Sequence, residues 1–558
     1  MKPVYWGLGL TVIAALALAL RLHGIAAPIM DHPGWRQGDT AAIARNFALL
    51  QLNPLYPQTT YNGPPPNYVE LELQIVPFLA AIVYKIAGVH VVIGRLLTIA
   101  FSLATVVMLG VFARRLFDSA ASGLIAAFCY AVFPGSVYYG RTFMPDCAMT
   151  FFLTAALFAA FLLFRAQARM TAKPIALTTL LFALALLAKP VAVLALVPLA
   201  VLVVQRARND RAAIGAGAIV TLVPLLLLWL YDRNVAAHAE WHWASGITKL
   251  HVLPALATAL SSGSAFLSKC TQFRIVLGMF RETMLGTAAF ACTVLAFVVM
   301  AAMRWRNAGV LWGWLAGGLI YVFVVVTVER VDYYMLALLP LCALVIGGLG
   351  SAYARFVRGV DAAATARNAL LAIVPVIALL FLVTTRSPVE AYYAYNASAY
   401  RGALLLDRSL PPDALLVIAH YGPDLQYYMN RFGWEEDPLL WTPFDEESAI
   451  AKGARYFVAV EGTRLDHNLE LCAYLQRFRA LRWNGPWTIY VTDPSNERAG
   501  AMTFWRAFRS AERAGRGRAY LDDTGVCKSA GSAAAFELQS VNSARNASGP
   551  TAMLPRNG

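Results

Sequence analysis

Few side chains in this chain can do chemistry, and they crowd into a handful of places. The first is Asp31-His32-Pro33-Gly34-Trp35-Arg36-Gln37-Gly38-Asp39-Thr40-Ala41-Ala42-Ile43-Ala44-Arg45-Asn46-Phe47. Ile43, Phe47 and Leu50 fall on one face, which predicts an amphipathic helix on the membrane surface beginning just after Asp39. Asp39 then reads as an N-cap, yet a capping carboxylate keeps lone pairs free for other work. Further on, Glu70 and Glu72 read as solvated loop carboxylates ahead of an apolar run, Ile75 to Ile86, that predicts an interfacial helix. A second place is Tyr138-Tyr139-Gly140-Arg141-Thr142-Phe143-Met144-Pro145-Asp146. Pro145 is suited to open a helix whose dipole favours Asp146, while an Arg and an Asp at a membrane boundary are also half of a polar site. Lys189 and Arg330 stand at other span ends, where single cations snorkel to head groups. Together with Arg36 and Arg141 they can gather around a lipid phosphate. His238 and His242 are four apart and would share a helical face suited to a metal, but the aromatic loop around them favours a place in the interfacial belt.

The elements that must position these groups are read from hydropathy. Of 558 residues, 59% are hydrophobic and 14% charged, too apolar for one soluble core. Stretches able, or nearly able, to cross a bilayer run Val4 to Leu20, Val92 to Phe112, Ala120 to Val137, Cys147 to Phe164, Pro174 to Leu187, Val191 to Val204, Ile214 to Leu230, Leu285 to Met303, Val310 to Val328, Tyr333 to Gly350 and Ala369 to Val383. The expected fold class is an α-helical polytopic membrane protein of about 11 transmembrane helices, the pair around Lys189-Pro190 being short. With the N-terminus inside, the cytoplasmic loops hold Arg114-Arg115, Arg165 to Lys173, Arg206 to Arg211, Arg304 to Arg306 and Arg355 to Arg367, all basic. The net charge of +14 is thereby explained by orientation rather than nucleic acid. The large loops, the acidic motifs and everything after Thr384 share the opposite side. Seven cysteines stand singly, suggesting neither a disulfide framework nor a structural metal.

Beyond the spans the chain predicts a small α/β domain over 386–493. Its strand-like runs are Ala414 to Ala419, Tyr456 to Val460 and Trp487 to Val491, and its helical ones Asp424 to Asn430 and Leu469 to Leu481. The domains expected are therefore 1–385 in the membrane, with a first external loop at 21–91, then 386–493, then a largely disordered tail at 494–558.

Trp35-Arg36-Gln37-Gly38-Asp39-Thr40-Ala41 followed by Ile43-Ala44-Arg45-Asn46-Phe47 resembles the first-loop motif of bacterial membrane glycosyltransferases of the C-type superfamily, in the branch of protein mannosyltransferases and lipid A aminoarabinose transferases. The resemblance continues in order through Glu70-Leu71-Glu72-Leu73-Gln74, Gly94-Arg95-Leu96-Leu97, Tyr139 to Asp146, Tyr333-Tyr334 before Leu339-Pro340, and more weakly Tyr427 to Trp434. It implies an inverting glycosyltransferase of the inner membrane that takes a sugar from a polyprenyl phosphate and passes it, on the periplasmic face, to a lipid, glycan or protein of the cell envelope. The family's two acidic positions map to Asp39 and Asp146, although many relatives have Glu in place of Asp146. The first loop aligns poorly just before Thr40 with the aminoarabinose transferases, which keeps Asp31 as a rival.

On this reading Asp39 first, or Asp31 second, is the general base toward the acceptor, and Asp146 orients the acceptor or a metal. Arg36, Arg141, Lys189 and Arg330 are the candidates for the departing phosphate. Trp35, Gln37, Glu72, Tyr139, Tyr333 and Tyr334 are the candidate substrate contacts. Glu72 is also the one candidate ligand for a divalent cation, the only cofactor suggested. Two other classes compete. A secondary transporter would place polar or broken helices at mid-membrane, whereas these spans are almost free of mid-span charge. A non-catalytic envelope-assembly protein would use the end domain to bind a partner.

Overall fold

The computed structural model describes residues 3–165, 169–305, 307–359 and 372–524. Among them, eight helices are long and apolar enough to cross a membrane, and the pair Gly263–Leu285 and Thr287–Ala302, bent by 111°, forms a broken span or a re-entrant loop. The break falls at Gly286, whose φ of +77° suits a residue without Cβ. Two shorter apolar helices, Ala120–Val132 and Ala172–Ala188, complete the set. The eleven predicted stretches fall on these helices, Ala120 to Val137 running on into the short helix Pro134–Tyr139 and the first residues of Ala369 to Val383 lying outside the described residues, and Ile75–Ala87 is helical as well. The basic stretches at 165–173, 304–306 and 355–367 lie in part outside the described residues.

The break between two spans at Lys189-Pro190 has a local cause. A residue before proline is pushed out of the helical region, and Lys189 is extended, at φ −167° and ψ 128°. The chain then restarts as a short 3-10 turn, Pro190–Ala195, and the helix Leu196–Ala207. Lys189 is thereby left at a helix end with its side chain turned inward. At the end of the first helix, Pro3–Arg21, the buried Arg21 guanidinium donates to Ser102 Oγ at 2.8 Å, Ser136 Oγ at 2.7 Å and Ala131 O at 3.0 Å. A Cβ at Gly140 would stand 2.5 Å from Arg21 Nε, so only glycine admits this arginine.

The end domain holds a five-stranded sheet in the order β4-β3-β5-β7-β6, where β3 is Leu415–Ala419, β4 Gly433–Glu436, β5 Ala454–Ala459, β6 Arg479–Ala480 and β7 Thr488–Val491. β3 runs parallel to both β4 and β5, and β7 is antiparallel to β5 and β6. Alternate residues of β3 serve opposite faces. Leu416 and Ile418 pack with Ala399, Leu406 and Met429, while Val417 and Ala419 pack with Ala449, Phe457 and Leu471. Burial on both faces is what makes this strand a continuous apolar run. A separate two-stranded pair, β1 (Val69–Glu70) and β2 (Trp241–His242), ties the first external loop to the loop after the span Ala212–Ala236.

Three expectations are corrected here. The predicted helix Leu469 to Leu481 ends at Leu475, because the chain must turn to place β6 beside β7. The tail is not without order in its first part. Ala501–Arg513 and Gly517–Thr524 are helices, and Phe508 and Leu521 bury against Ala473 with Phe504, Trp505 and Tyr520 around them. Their apolar spacing of three and four residues is helical; the rest of the predicted tail, 525–558, lies outside the described residues. Finally, Cys472 is disulfide-bonded, while Cys129, Cys147, Cys270, Cys292 and Cys342 are free.

Candidate active site

The helix Gly34–Leu49 carries the first-loop motif, and it begins five residues before Asp39 rather than after it. Asp39 is therefore inside the helix and is not a cap. Nor does the helix lie on an open surface: every residue from Arg36 to Phe47 is buried. Ala41, Ala42 and Ala44 pack on Val76, Ala80, Phe143 and Tyr427, and the other side meets the end domain. A Cβ on Gly38 would lie 2.2 Å from Asp424 N, so backbone touches backbone there and the polar stripe of the helix is enclosed instead of wet.

Enclosure gives the two first-loop aspartates different surroundings. Asp31 accepts from Arg95 Nη2 at 3.0 Å, from Gln37 Nε2 at 2.7 Å and from Arg141 Nη2. Arg141 also donates to Gly24 O at 3.2 Å and lies over the Tyr138 and Tyr393 rings. Both terminal nitrogens of Arg141 are thus engaged in holding the loop, and Gln37 is turned to the same task, its Oε1 accepting from Phe143 N at 3.2 Å.

Asp39 has fewer partners. Its Oδ2 accepts from Arg36 Nη1 at 3.0 Å and its Oδ1 from the Tyr61 hydroxyl at 3.0 Å. Burial pushes its pKa up to about 6, against the opposing pull of Arg36 and the Tyr61 hydrogen bond. Arg36 bridges onward to Glu72 through Nη2. Burial works against the Arg36 charge, but Glu72 foremost, then Asp39, Tyr333 and Asp146, hold it protonated. Glu72 is accordingly buried and ion-paired, not solvated.

The second acidic position joins the same cluster. Lys189 Nζ donates to Asp146 Oδ1 at 2.6 Å and sits over the rings of Tyr333, at 4.8 Å, and Tyr334, at 4.5 Å. Asp146 Oδ2 is buried with no hydrogen-bond partner among the described residues. An acceptor oxygen without a donor inside a membrane protein is costly unless something reaches it. Arg330, half-buried in a left-handed backbone conformation, makes no side-chain hydrogen bond or ion pair with the described residues.

Other predicted residues are used structurally. The Tyr139 hydroxyl donates to Asp332 Oδ1 at 2.5 Å and Tyr392 donates to Asp332 Oδ2 at 2.7 Å, with His32 Nε2 3.1 Å from Tyr139. Tyr139 and Tyr392 thereby meet on the same carboxylate. Glu70 is buried too, accepting from Ser245 Oγ at 2.8 Å. Trp35 stands between Trp243, with centroids 5.4 Å apart, and Tyr421 of the end domain, at 6.3 Å. His238 lies beyond the end of a helix and His242 in β2, so they share no helical face. Arg95 was detectable as a charge inside an apolar span, which lipid penalises, whereas Tyr61 and Asp332 gave no sequence signal.

Glu72, the candidate ligand, faces the Arg36 guanidinium, and among the described residues no group of three His, Cys, Asp or Glu side chains converges.

Residues 74–231 match the family model of dolichyl-phosphate-mannose-protein mannosyltransferase. No curated protein matches the chain. Among solved structures, ArnT from Cupriavidus metallidurans bound to undecaprenyl phosphate is similar with a TM-score of 0.56 and 13% identity, over 87% of this chain and 98% of that one. The Archaeoglobus fulgidus oligosaccharyltransferase tethered with an acceptor peptide is similar with a TM-score of 0.55 and 12% identity, over 88% of this chain and 74% of that one. A second structure of that oligosaccharyltransferase, in complex with Zn and sulfate, gives a TM-score of 0.52 at 14% identity, over 87% and 73%. The chain thus has the fold of these solved membrane enzymes, and its residues 74–231 are similar to the mannosyltransferase family model.

Proposed function

We propose that this protein transfers a sugar from a polyprenyl-phosphate carrier to a hydroxyl or amine acceptor, with Asp39 as the general base. The observation that carries the reading is the buried cluster in which Asp39, Arg36 and Glu72 meet Lys189 and Asp146. Asp39, with a pKa of about 6, is largely ionised at neutral pH and retains enough basicity to take the acceptor proton as the glycosidic bond to phosphate breaks. The acceptor oxygen or nitrogen attacks the anomeric carbon from the face opposite the phosphate, so the configuration inverts. Negative charge grows on the leaving phosphate, and Lys189 and Arg330 stabilise it in surroundings where water is scarce. Arg36 holds Asp39 and Glu72 in place. The free Asp146 Oδ2 orients the acceptor by accepting a hydrogen bond from it, and Trp35 with Tyr421 offers flat apolar faces for a sugar ring.

The site faces the extracytoplasmic side in this reading. The end domain, the first loop and the β2 loop meet at one end of the bundle, away from Arg114-Arg115 and Arg206 to Arg211. The disulfide at Cys472 supports the same orientation, since such bonds persist in oxidising compartments. The test is transfer of labelled sugar from a panel of polyprenyl-phosphate donors by purified protein in lipid. Transfer by the wild type that disappears in folded Asp39→Asn is expected; absence of donor binding across the whole panel would favour the transporter or assembly alternatives.

A further inference from the structure

The end domain grips the transfer site at a point far in sequence from the helix that carries Asp39. Thr60 O accepts from Gly433 N at 3.1 Å and from Gln426 Nε2 at 3.0 Å, while Gly63 N donates to Gly433 O at 2.8 Å. The first residue of β4 therefore holds the Thr60 to Gly63 turn by its own N–H and C=O together. Neither glycine has room for a side chain. A Cβ at Gly433, where φ is +149°, would stand 1.9 Å from Leu416 O, and one at Gly63, where φ is +116°, would stand 3.0 Å from the Trp434 ring. From the other side Asn46 Nδ2 donates to Gln58 O at 2.9 Å and Thr59 O at 3.0 Å, fastening the turn to the Asp39 helix. Between these two anchorages sits Tyr61, 3% exposed, with its hydroxyl on Asp39.

We propose that Gly433 and Gly63 form a backbone clamp by which the end domain holds Tyr61 against Asp39, making Tyr61 a positioning residue and the end domain a working part of the transfer site. The inference rests on Asp39 being the base. It gives the end domain a task beyond choosing an acceptor: undocking of the domain withdraws the hydroxyl that orients the carboxylate. The phenol keeps its proton throughout, because burial and then the neighbouring Asp39 raise its pKa well above the ordinary tyrosine value. The groups facing Asp39 are Arg36 from its own helix, Tyr61 and Glu72 from the first loop, and Tyr421 and Glu435 from the end domain, with Asp424 beside Glu435.

The experiment is titration of Asp39 in the full-length protein in lipid by isotope-edited infrared spectroscopy, using Asp39→Asn to identify its band, in parallel with the pH profile of transfer. Tyr61→Phe keeps the ring and removes the hydrogen bond to the ionised carboxylate. Its expected effect is a rise of about one pH unit in the Asp39 midpoint. At neutral pH kcat should fall about twofold, recovering above pH 8, with KM for the donor little changed. In a Gly433→Val background the same Tyr61→Phe change should move the midpoint by less than about a third as much, because the clamp is already open. Gly63→Val opens it from the loop side and leaves β3 and β4 intact, so a folding defect in Gly433→Val does not decide the matter. An unmoved midpoint in Tyr61→Phe, or an equal shift in the clamped and unclamped backgrounds, overturns the clamp. A moved midpoint with transfer that survives Asp39→Asn supports the clamp and overturns Asp39 as the base.

Discussion

Asp31 and Asp39 are eight positions apart in one loop, both fully buried, and yet they are held in opposite ways. Asp31 is saturated: two guanidinium groups and a glutamine amide donate to it. Asp39 has one arginine, itself shared with Glu72, and one phenol. A buried carboxylate with excess positive partners is a structural anion whose loss leaves uncompensated cations. A buried carboxylate with a bare sufficiency of partners keeps affinity for a proton, which is the property a base needs. The contrast teaches that burial alone does not distinguish the proposed base; the balance of its donors does.

The comparison breaks most directly at Asp39. Asp39→Asn should lower transfer by about a hundredfold or more while leaving the protein folded, as read by labelled-sugar transfer and by thermal unfolding in detergent. The converse holds at Asp31. Asp31→Asn should destabilise by about 3–5 kcal/mol, seen as a lower unfolding temperature and poor yield, because Arg95 and Arg141 then face each other unpaired. Equal loss of stability in the two variants would remove the distinction drawn between them.

A pH profile sharpens the same contrast. With the Asp39 pKa raised to about 6, kcat/KM should fall as the pH drops through about 6 and reach a plateau above it. The sign for stability is reversed: a carboxylate whose folded pKa lies above its unfolded value weakens the fold once ionised, and that penalty is relieved as the pH falls from about 6 toward 4. Asp39→Asn should therefore unfold at the same temperature as wild type, or a higher one, at pH 7. Lys189→Met should cost about tenfold or more in transfer through loss of charge opposite the leaving phosphate, with Asp146 left buried and unpaired. A smaller effect is expected at Cys472→Ser, about 2–4 kcal/mol within the end domain, with a change in mobility on non-reducing gels that wild type shows only after reduction.

Legibility in the sequence differed between the membrane domain and the site. The membrane helices were readable because lipid tolerates little but apolar side chains over a span of about 20 residues, so composition is nearly sufficient. β3 was readable for a related reason, being apolar on both faces. The helix around Asp39 misled, because its enclosure depends on Gly38 admitting the backbone of Pro423 and Asp424, and Gly34 the Asp424 side chain, from nearly four hundred residues away. Glu70 and Glu72 misled likewise: polar residues in a loop predict water, and only the packing of Ser245 and Arg36 against them shows otherwise.

By itself, then, the sequence determined the membrane setting, the crowding of polar motifs at span ends and the set of carboxylates from which the proposed base is drawn, since each follows from local hydropathy and spacing. Tertiary structure alone decided which carboxylate is neutralised and which keeps its basicity. That choice depends on donors brought from Arg95, Arg141, Tyr61 and the end domain, and electrostatic partners are set by distance in space, which spacing along the chain does not encode.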